Sequence, residues 1–463
     1  MLIPLNPHSS TPLYIQVYQA LKGRILDNSL PYESKLPSKR HFAQLNGISQ
    51  NTVLKAYEQL MDEGYIYAHE RRGYFVSDVK HHFILEASPP ENQPLPAETK
   101  AESDLLDLSR SNPDPELFPF DQFRKLYQKH LNTKEANLLG ATDAQGLLSL
   151  RQALVSYLQE ARGVPATAQQ IVLGPSTQAL LQLLLPLLAH QESIGIENPG
   201  YHRLNPLFKE YGLTLIPLTV HEDGIDLAEV MSYAPDLLFL TPSHQFPTGS
   251  IMPIEKRLDL LHWVQTNPER YIIEDDYDSE FKYSGIPVPA LVSLDQAQRV
   301  IYMGSFSRNL APSLRLSYMV LPPKLIEDFQ AHYPYLAPSL STLEQYVLAD
   351  YIQSGKLERH LNKARSFYKK KRDALLHTIQ RLDPEAIISG DQAGLHILFQ
   401  PSIAFDEGQV RQKALANGVK LTFLSDYRFQ TERPSPSYIF LSFSAVAMHE
   451  IEPLIEQIYQ WLA

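Results

Sequence analysis

The chain has 463 residues, of which 44% are hydrophobic and 20% charged; this is ordinary for a globular protein and long enough for more than one domain. The absence of cysteine excludes disulfides, thiolate zinc sites and a thiol nucleophile. No apolar run is long enough to span a membrane and no leader pattern opens the chain, so a cytoplasmic protein is expected. The net charge of −11 argues against nucleic acid for the chain as a whole. Its distribution does not: residues 1–80 carry nine Lys and Arg against seven Asp and Glu, a net +2, and the remainder is −13. A mildly basic head on an acidic body suits DNA binding by the head alone.

Leu13, Val17, Leu21 and Ile25 lie at helical spacing after Pro12. Ser38 is an expected N-cap for a short helix ending before Asn46-Gly47, and Ser49 caps the next one. That helix has Val53, Tyr57 and Leu60 on one face, and Gly64 ends it. Residues 65–68 and 74–76 alternate as strands around the basic tip Arg71-Arg72-Gly73. Helix, helix, turn, helix and hairpin form a winged helix-turn-helix pattern. Ser38, Lys39 and Arg40 are candidate phosphate contacts; Gln50, Asn51, Thr52 and Lys55 are placed to face a major groove. Each basic residue taken singly is more often just solvated; the joint arrangement carries the reading.

Residues 81–105 are rich in proline, glutamate and small polar residues and read as a linker. From about Leu106 short apolar runs alternate with helical segments, implying a mostly parallel sheet. Residues 171–173 form a strand, and the turn after it opens a helix expected to reach Leu188. Residues 194–196 and 237–241 are further strands. Three more runs, 271–273, 300–303 and 316–320, are expected to be buried parallel strands. Polar residues follow them, where open α/β sheets hold ligands. After Pro334 the pattern is helical, followed by strands near 395–399 and 439–443 and a closing helix. The expected division is a head at 1–80, a large domain at 106–330 and a small one at 331–463.

The wording LPSKR and TVLKAYEQL resembles the GntR-type reading head, with Gln50 where that family often has arginine. HQFPTG, EDDYDSEF and GSFSRNLAPSLR resemble the MocR/GabR branch of GntR-type regulators. The resemblance implies a winged helix-turn-helix fused to an α/β fold-type I transferase-like domain dependent on pyridoxal 5′-phosphate, with a small C-terminal α+β subdomain. It implies roles for matching residues. Asp275 would pair with the ring nitrogen, Tyr277 with the ring hydroxyl, and Tyr201 would stack on the ring. Ser176, Thr177, Ser305, Ser307 and Arg315 would hold the phosphate. Arg315 has the strongest case, because an arginine beside an apolar run needs an anionic partner. His244 and Gln245 are balanced between flanking the ring and a structural role. Arg203 and Arg428 match a clamp for the carboxylate of an amino-acid effector.

The family's Schiff-base lysine is Arg308 here. A guanidinium stays protonated and serves badly as nucleophile or base, so neither covalent cofactor linkage nor transamination is expected. The implied partners are operator DNA, an amine or amino-acid effector, and a second copy in a head-to-tail homodimer. Two alternatives stand beside this reading: an aminotransferase with an accessory DNA-binding head, and a ligand-blind DNA-binding protein that uses the second domain only to dimerise.

Overall fold

The structure, a computed structural model, describes residues 1–79, 105–132, 138, 140, 142–283, 289–337, 339–429, 436–444 and 446–462. The chain divides into two compact units, Met1–Lys100 and Ala101–Ala463. The linker expected over 81–105 falls almost wholly outside the described residues.

In the first unit, α1 (Leu13–Leu26), α2 (Lys39–Asn46) and α3 (Gln50–Asp62) precede the antiparallel hairpin β1 (Ile66–His69) and β2 (Gly73–Val76). The caps are local chemistry. Ser38 accepts from the His41 amide and Ser49 from the Thr52 amide. Gly47 takes φ +64°, which lets the chain turn sharply between α2 and α3. Val17, Leu21, Phe42, Val53, Tyr57 and Leu60 are fully buried where the three helices meet. Asn46 does more than turn the chain: its side chain accepts from the Ile3 amide and donates to the Met1 carbonyl, tying down the N-terminal arm.

The second unit is built on an eight-stranded sheet. Its strands are β4 (Ile171–Gly174), β5 (Ser193–Asn198), β6 (Thr214–His221), β7 (Gly224–Ile225), β8 (Leu237–Leu240), β9 (Tyr271–Asp276), β10 (Val300–Ser305) and β11 (Ser317–Val320). They lie in the order β4-β11-β10-β9-β8-β5-β6-β7. The five strands from β10 to β6 are mutually parallel. Alternate residues of the central strands enter different cores: Ile273, Ile301 and Met303 on one face, Ile272, Val300 and Tyr302 on the other.

Two expectations are corrected. β11 is antiparallel to both β10 and β4, not parallel. The eleven residues joining β10 to β11 contain only a 3₁₀ turn, whereas a parallel return needs a crossover of a dozen or more residues, usually through a helix. The helix after β4 stops at Leu184 and continues as a 3₁₀ turn to Leu188, because Pro186 has no amide to donate. β3 (Leu106–Asp107) pairs in parallel with β14 (Val419–Lys420) near the chain's end.

That C-terminal part has its own sheet and core. The sheet is antiparallel, with β12 (Ile387–Ser389), β13 (His396–Gln400), β16 (Ile439–Ser442) and β15 (Thr422–Phe423) in that order. The long helix Lys356–Leu382 and the closing helix Ile451–Leu462 pack with it, burying Tyr368, Leu375, Ile455 and Ile458. Lys371, fully buried, pairs with Asp114 at 2.6 Å and donates to the Ser444 carbonyl at 2.9 Å. Removing one member of a buried pair leaves an uncompensated charge. Lys371→Met is therefore expected to cost about 3–5 kcal/mol, read as a lower urea midpoint of the second unit. An unchanged midpoint would mean that Asp114 finds water or another partner.

Candidate functional site

Six strands run in the same sense, and the polar residues at their C-terminal ends share one edge of the sheet. The antiparallel β11 begins where the others finish: Ser317 is in register with Ser305 of β10 on one side and Gly174 of β4 on the other. The reversal thus brings Arg315 and Ser317 to the same edge.

A cavity of about 330 Å³ opens there. Ser176, Thr177, Tyr201, Arg203, Asp275, Tyr277, Ser305, Ser307, Arg308 and Arg315 all line it. So do Gln178, Thr241, Phe246 and Ser317, which the sequence did not single out. Ser176 caps the helix Thr177–Leu184, accepting from the Ala179 amide at 3.1 Å. The amides at that helix start face an environment favourable to an anion. Ser305 donates to Ser307 Oγ at 2.9 Å, and the Ser307 amide donates back to Ser305 at 3.1 Å. Arg315 is exposed and takes φ +48°. Its place on the cavity comes from the turn.

Strand alternation sorts the carboxylates. Asp276 points away from the cavity to Arg162 and the Tyr302 hydroxyl, both at 2.7 Å. Asp275 points in, and its Oδ1 is buried with no hydrogen-bond partner among the described residues. Burial first, then the carboxylates of Asp276, Glu197 and Asp278, pushes the Asp275 carboxyl up to about 7; the Arg308 guanidinium opposes this. Burial also lifts Glu197, under the same edge, to about 7, although the Thr241 hydroxyl donates to it at 2.6 Å. The Tyr277 hydroxyl, pushed well above the usual range by burial, lies 3.1 Å from His244 Nδ1. His244 Nδ1 is also 2.9 Å from Asp278.

His244 and Gln245 are buried and do not line the cavity. Gln245 is structural: its amide donates to the carbonyls of Pro199 and Phe246 and accepts from Thr248. His244 stands behind Tyr277. Arg203 and Arg428 do not share a cavity. Arg428 lines a second one of about 700 Å³, which Pro199 also borders, and its Nε is buried without a hydrogen-bond partner among the described residues. Their segments are nevertheless joined. The Gly200 amide donates to the Tyr427 carbonyl at 2.9 Å, and the Phe429 amide to Asn198 at 3.2 Å. Gly200 is required at that approach, since a Cβ would meet the Glu197 carbonyl oxygen at 2.1 Å.

In the head, Arg40, Gln50, Asn51, Lys55, Arg71 and Arg72 are exposed. Lys39 lies 5.9 Å from the Tyr74 ring of the wing, and Lys55 equally far from Tyr14 of α1. Arg71 and Gly73 both have positive φ, at 59° and 108°, which closes the tight tip that presents Arg72. Ser38 and Thr52 flank this surface from the two helix starts.

Fold and site together define a helix-turn-helix regulator with an aminotransferase-like body. The model for bacterial regulatory proteins of the gntR family matches residues 13–76, and that for aminotransferases of class I and II matches residues 103–458. The HTH-type transcriptional regulator YdeL of Bacillus subtilis is 36% identical over 98% of this chain and 97% of its own length. The probable rhizopine catabolism regulatory protein MocR of Rhizobium meliloti is 30% identical, over 93% and 90%. PdxR of Corynebacterium glutamicum, a pyridoxine biosynthesis transcriptional regulator, is 28% identical over 92% and 91%. Among solved structures, a multiple-substrate aminotransferase from Thermococcus profundus superposes with a TM-score of 0.68 at 24% identity, covering 78% of this chain and 91% of that one. The chain belongs to the MocR-type transcription regulators, in which a GntR head is joined to a class I and II aminotransferase domain. No described helix is long and apolar enough to cross a membrane.

Two outcomes follow from this geometry. Asp275 keeps its proton to about pH 7 in the folded ligand-free chain, but only to about pH 4 when unfolded. The folded state binds the extra proton between those values, so stability falls as pH rises through that window and levels off above it. Asp275→Asn should therefore raise the melting temperature more at about pH 8 than at about pH 5. An equal effect at both would place the carboxylate in water. In the head, Arg40→Ala should weaken binding to all duplexes alike. Asn51→Ala should cost about 1–3 kcal/mol on the cognate site alone, measured by fluorescence anisotropy on promoter and random DNA.

Proposed function

We propose that the second unit reads small molecules: it holds a phosphorylated pyridine cofactor and an amine- or amino-acid-type effector without a covalent bond, and their occupancy governs operator binding by the head. One observation carries this reading. A phosphate-type donor set, a half-buried carboxyl with a buried, unpartnered oxygen and a half-buried phenol converge on one cavity. Those residues fit pyridoxal 5′-phosphate, which when bound supplies an electron-withdrawing ring and an aldehyde. A relative is named for pyridoxine biosynthesis control, which points the same way.

In this reading Ser176, Thr177, Ser305, Ser307 and Arg315 hold the phosphate, with the amides at the helix start adding donors. Asp275 would pair with the ring nitrogen, and its raised pKa favours sharing that nitrogen's proton. Tyr277, supported by His244, donates toward the ring hydroxyl. Tyr201, 40% exposed, covers the mouth and stacks on the ring. Arg308, half-buried on the cavity wall, cannot form the covalent link that a lysine would. Transamination therefore lacks both its nucleophile and its base, and the body senses rather than catalyses. Arg203 receives the effector carboxylate in this cavity, and Arg428, whose side chain lines the other cavity, joins it by turning across the hydrogen-bonded Asn198–Gly200 and Tyr427–Phe429 segments. A head-to-tail homodimer belongs to the same reading.

The test is anisotropy of the full-length protein on its own promoter, with and without pyridoxal phosphate and a panel of amino acids. Operator affinity that no ligand changes would favour the ligand-blind alternative. Arg203→Ala and Arg428→Ala should each cost about 1.5–3 kcal/mol of effector binding by calorimetry. Unchanged affinity in both would remove them from the site. Arg308→Lys should create a borohydride-reducible adduct with pyridoxal phosphate at residue 308, located by peptide mass spectrometry. An adduct on another lysine of the parent would show that the reactive position lies elsewhere.

A further inference from the structure

Arg308 occupies a particular electrical position in the cavity. Its guanidinium lowers the proton affinity of Asp275, Tyr277, Tyr427 and His396. It thus lies among the groups that would hold the ring nitrogen and the ring hydroxyl. Among the described residues no carboxylate forms an ion pair with it. Asp275, on the same cavity, keeps Oδ1 without a partner among the described residues, and Asp278 is engaged by His244 at 2.9 Å. Arg203 and Arg315 line the same cavity, so three guanidiniums face one inward carboxyl.

We infer that Arg308 selects the ligand by the ring substituent it carries: the pocket takes phosphorylated pyridines bearing an oxygen substituent beside the ring hydroxyl, and rejects those bearing an ammonium there. The inference rests on the reading of the cavity as a pyridine-phosphate site. A guanidinium is permanently charged and has only donors to offer. An aldehyde or alcohol oxygen next to it accepts a charge-assisted hydrogen bond. A protonated aminomethyl group offers no acceptor there and adds a like charge in a poorly hydrated space, where repulsion is weakly screened. The one inward carboxyl is placed to serve the ring nitrogen and does not relieve that repulsion. A lysine at this position could lose its proton and tolerate the amine form; arginine cannot.

The test is calorimetry on the full-length protein, dialysed free of small molecules, with pyridoxine phosphate and pyridoxamine phosphate; neither reacts covalently with lysine. The alcohol should bind at least about tenfold tighter, the size of one charge-assisted hydrogen bond. Arg308→Gln, which removes the charge and retains a donor and an acceptor, should shrink that ratio to about threefold or less by restoring the amine form. Pyridoxal phosphate should follow the alcohol in the parent. Equal or tighter binding of the amine form by the parent overturns the inference, whether or not the variant folds. So does a ratio that Arg308→Gln leaves unchanged. Binding of neither compound to the parent would instead overturn the cofactor reading itself. Equal binding of both, with operator affinity still changing, would leave that reading standing and remove only the selectivity.

Discussion

The ion pair between Asp276 and Arg162, buried on both sides and closed by the Tyr302 hydroxyl, orients the site. Neighbouring residues of a strand point to opposite faces. With Asp276 held behind the sheet, Asp275 must face the cavity and Glu274 must turn back to the amides of Leu291 and Val292. The same constraint explains why so many carboxyls can be crowded into one segment. Each that lacks a full cation partner keeps its proton instead: Glu274, Asp275 and Glu280 all rise to about 7. A buried charge is neutralised by pairing or by protonation, and this segment uses both.

The loop that carries Arg308 is held in a similar way. Asn309 donates to Glu280 at 2.9 Å, and its carbonyl lies 2.7 Å from His360 on the long C-terminal helix. Glu280 in turn receives the Tyr157 hydroxyl at 2.6 Å. Residue 308 is therefore positioned by groups from β9's continuation, the helix Leu148–Arg162 and the long helix together. A substitution at 308 changes the chemistry of the cavity wall without changing what aims it.

Much of the fold was legible in the residues because it depends on local chemistry. Ser38, Ser49 and Gly47 set the ends of α2 and α3 by satisfying nearby backbone groups, and the apolar face of α3 could be read from spacing alone. The winged helix-turn-helix and the alternation of strands and helices after residue 106 were likewise readable; the candidate lining of the cavity came from the family resemblance. The absence of a lysine at 308 was plain in the sequence and needed no coordinates.

What only the tertiary structure decided is direction and proximity. β11 runs antiparallel because its connection is too short to cross over, and apolar content carries no sign for strand sense. Arg315 is exposed because its turn lifts it off the strand, which hydropathy could not show. Ser317 and Thr241 join the cavity from positions without a motif. Gln245, inside a motif, turns away to brace backbone carbonyls. Arg203 and Arg428 lie far apart in the chain; two backbone-directed hydrogen bonds join their segments, yet their side chains line different cavities. Residue type and spacing determine helix ends, hydrophobic faces and available chemistry, because these depend on neighbours in the chain. Which groups meet, and which keep their protons, depends on burial by residues distant in sequence, and only the folded chain settles it.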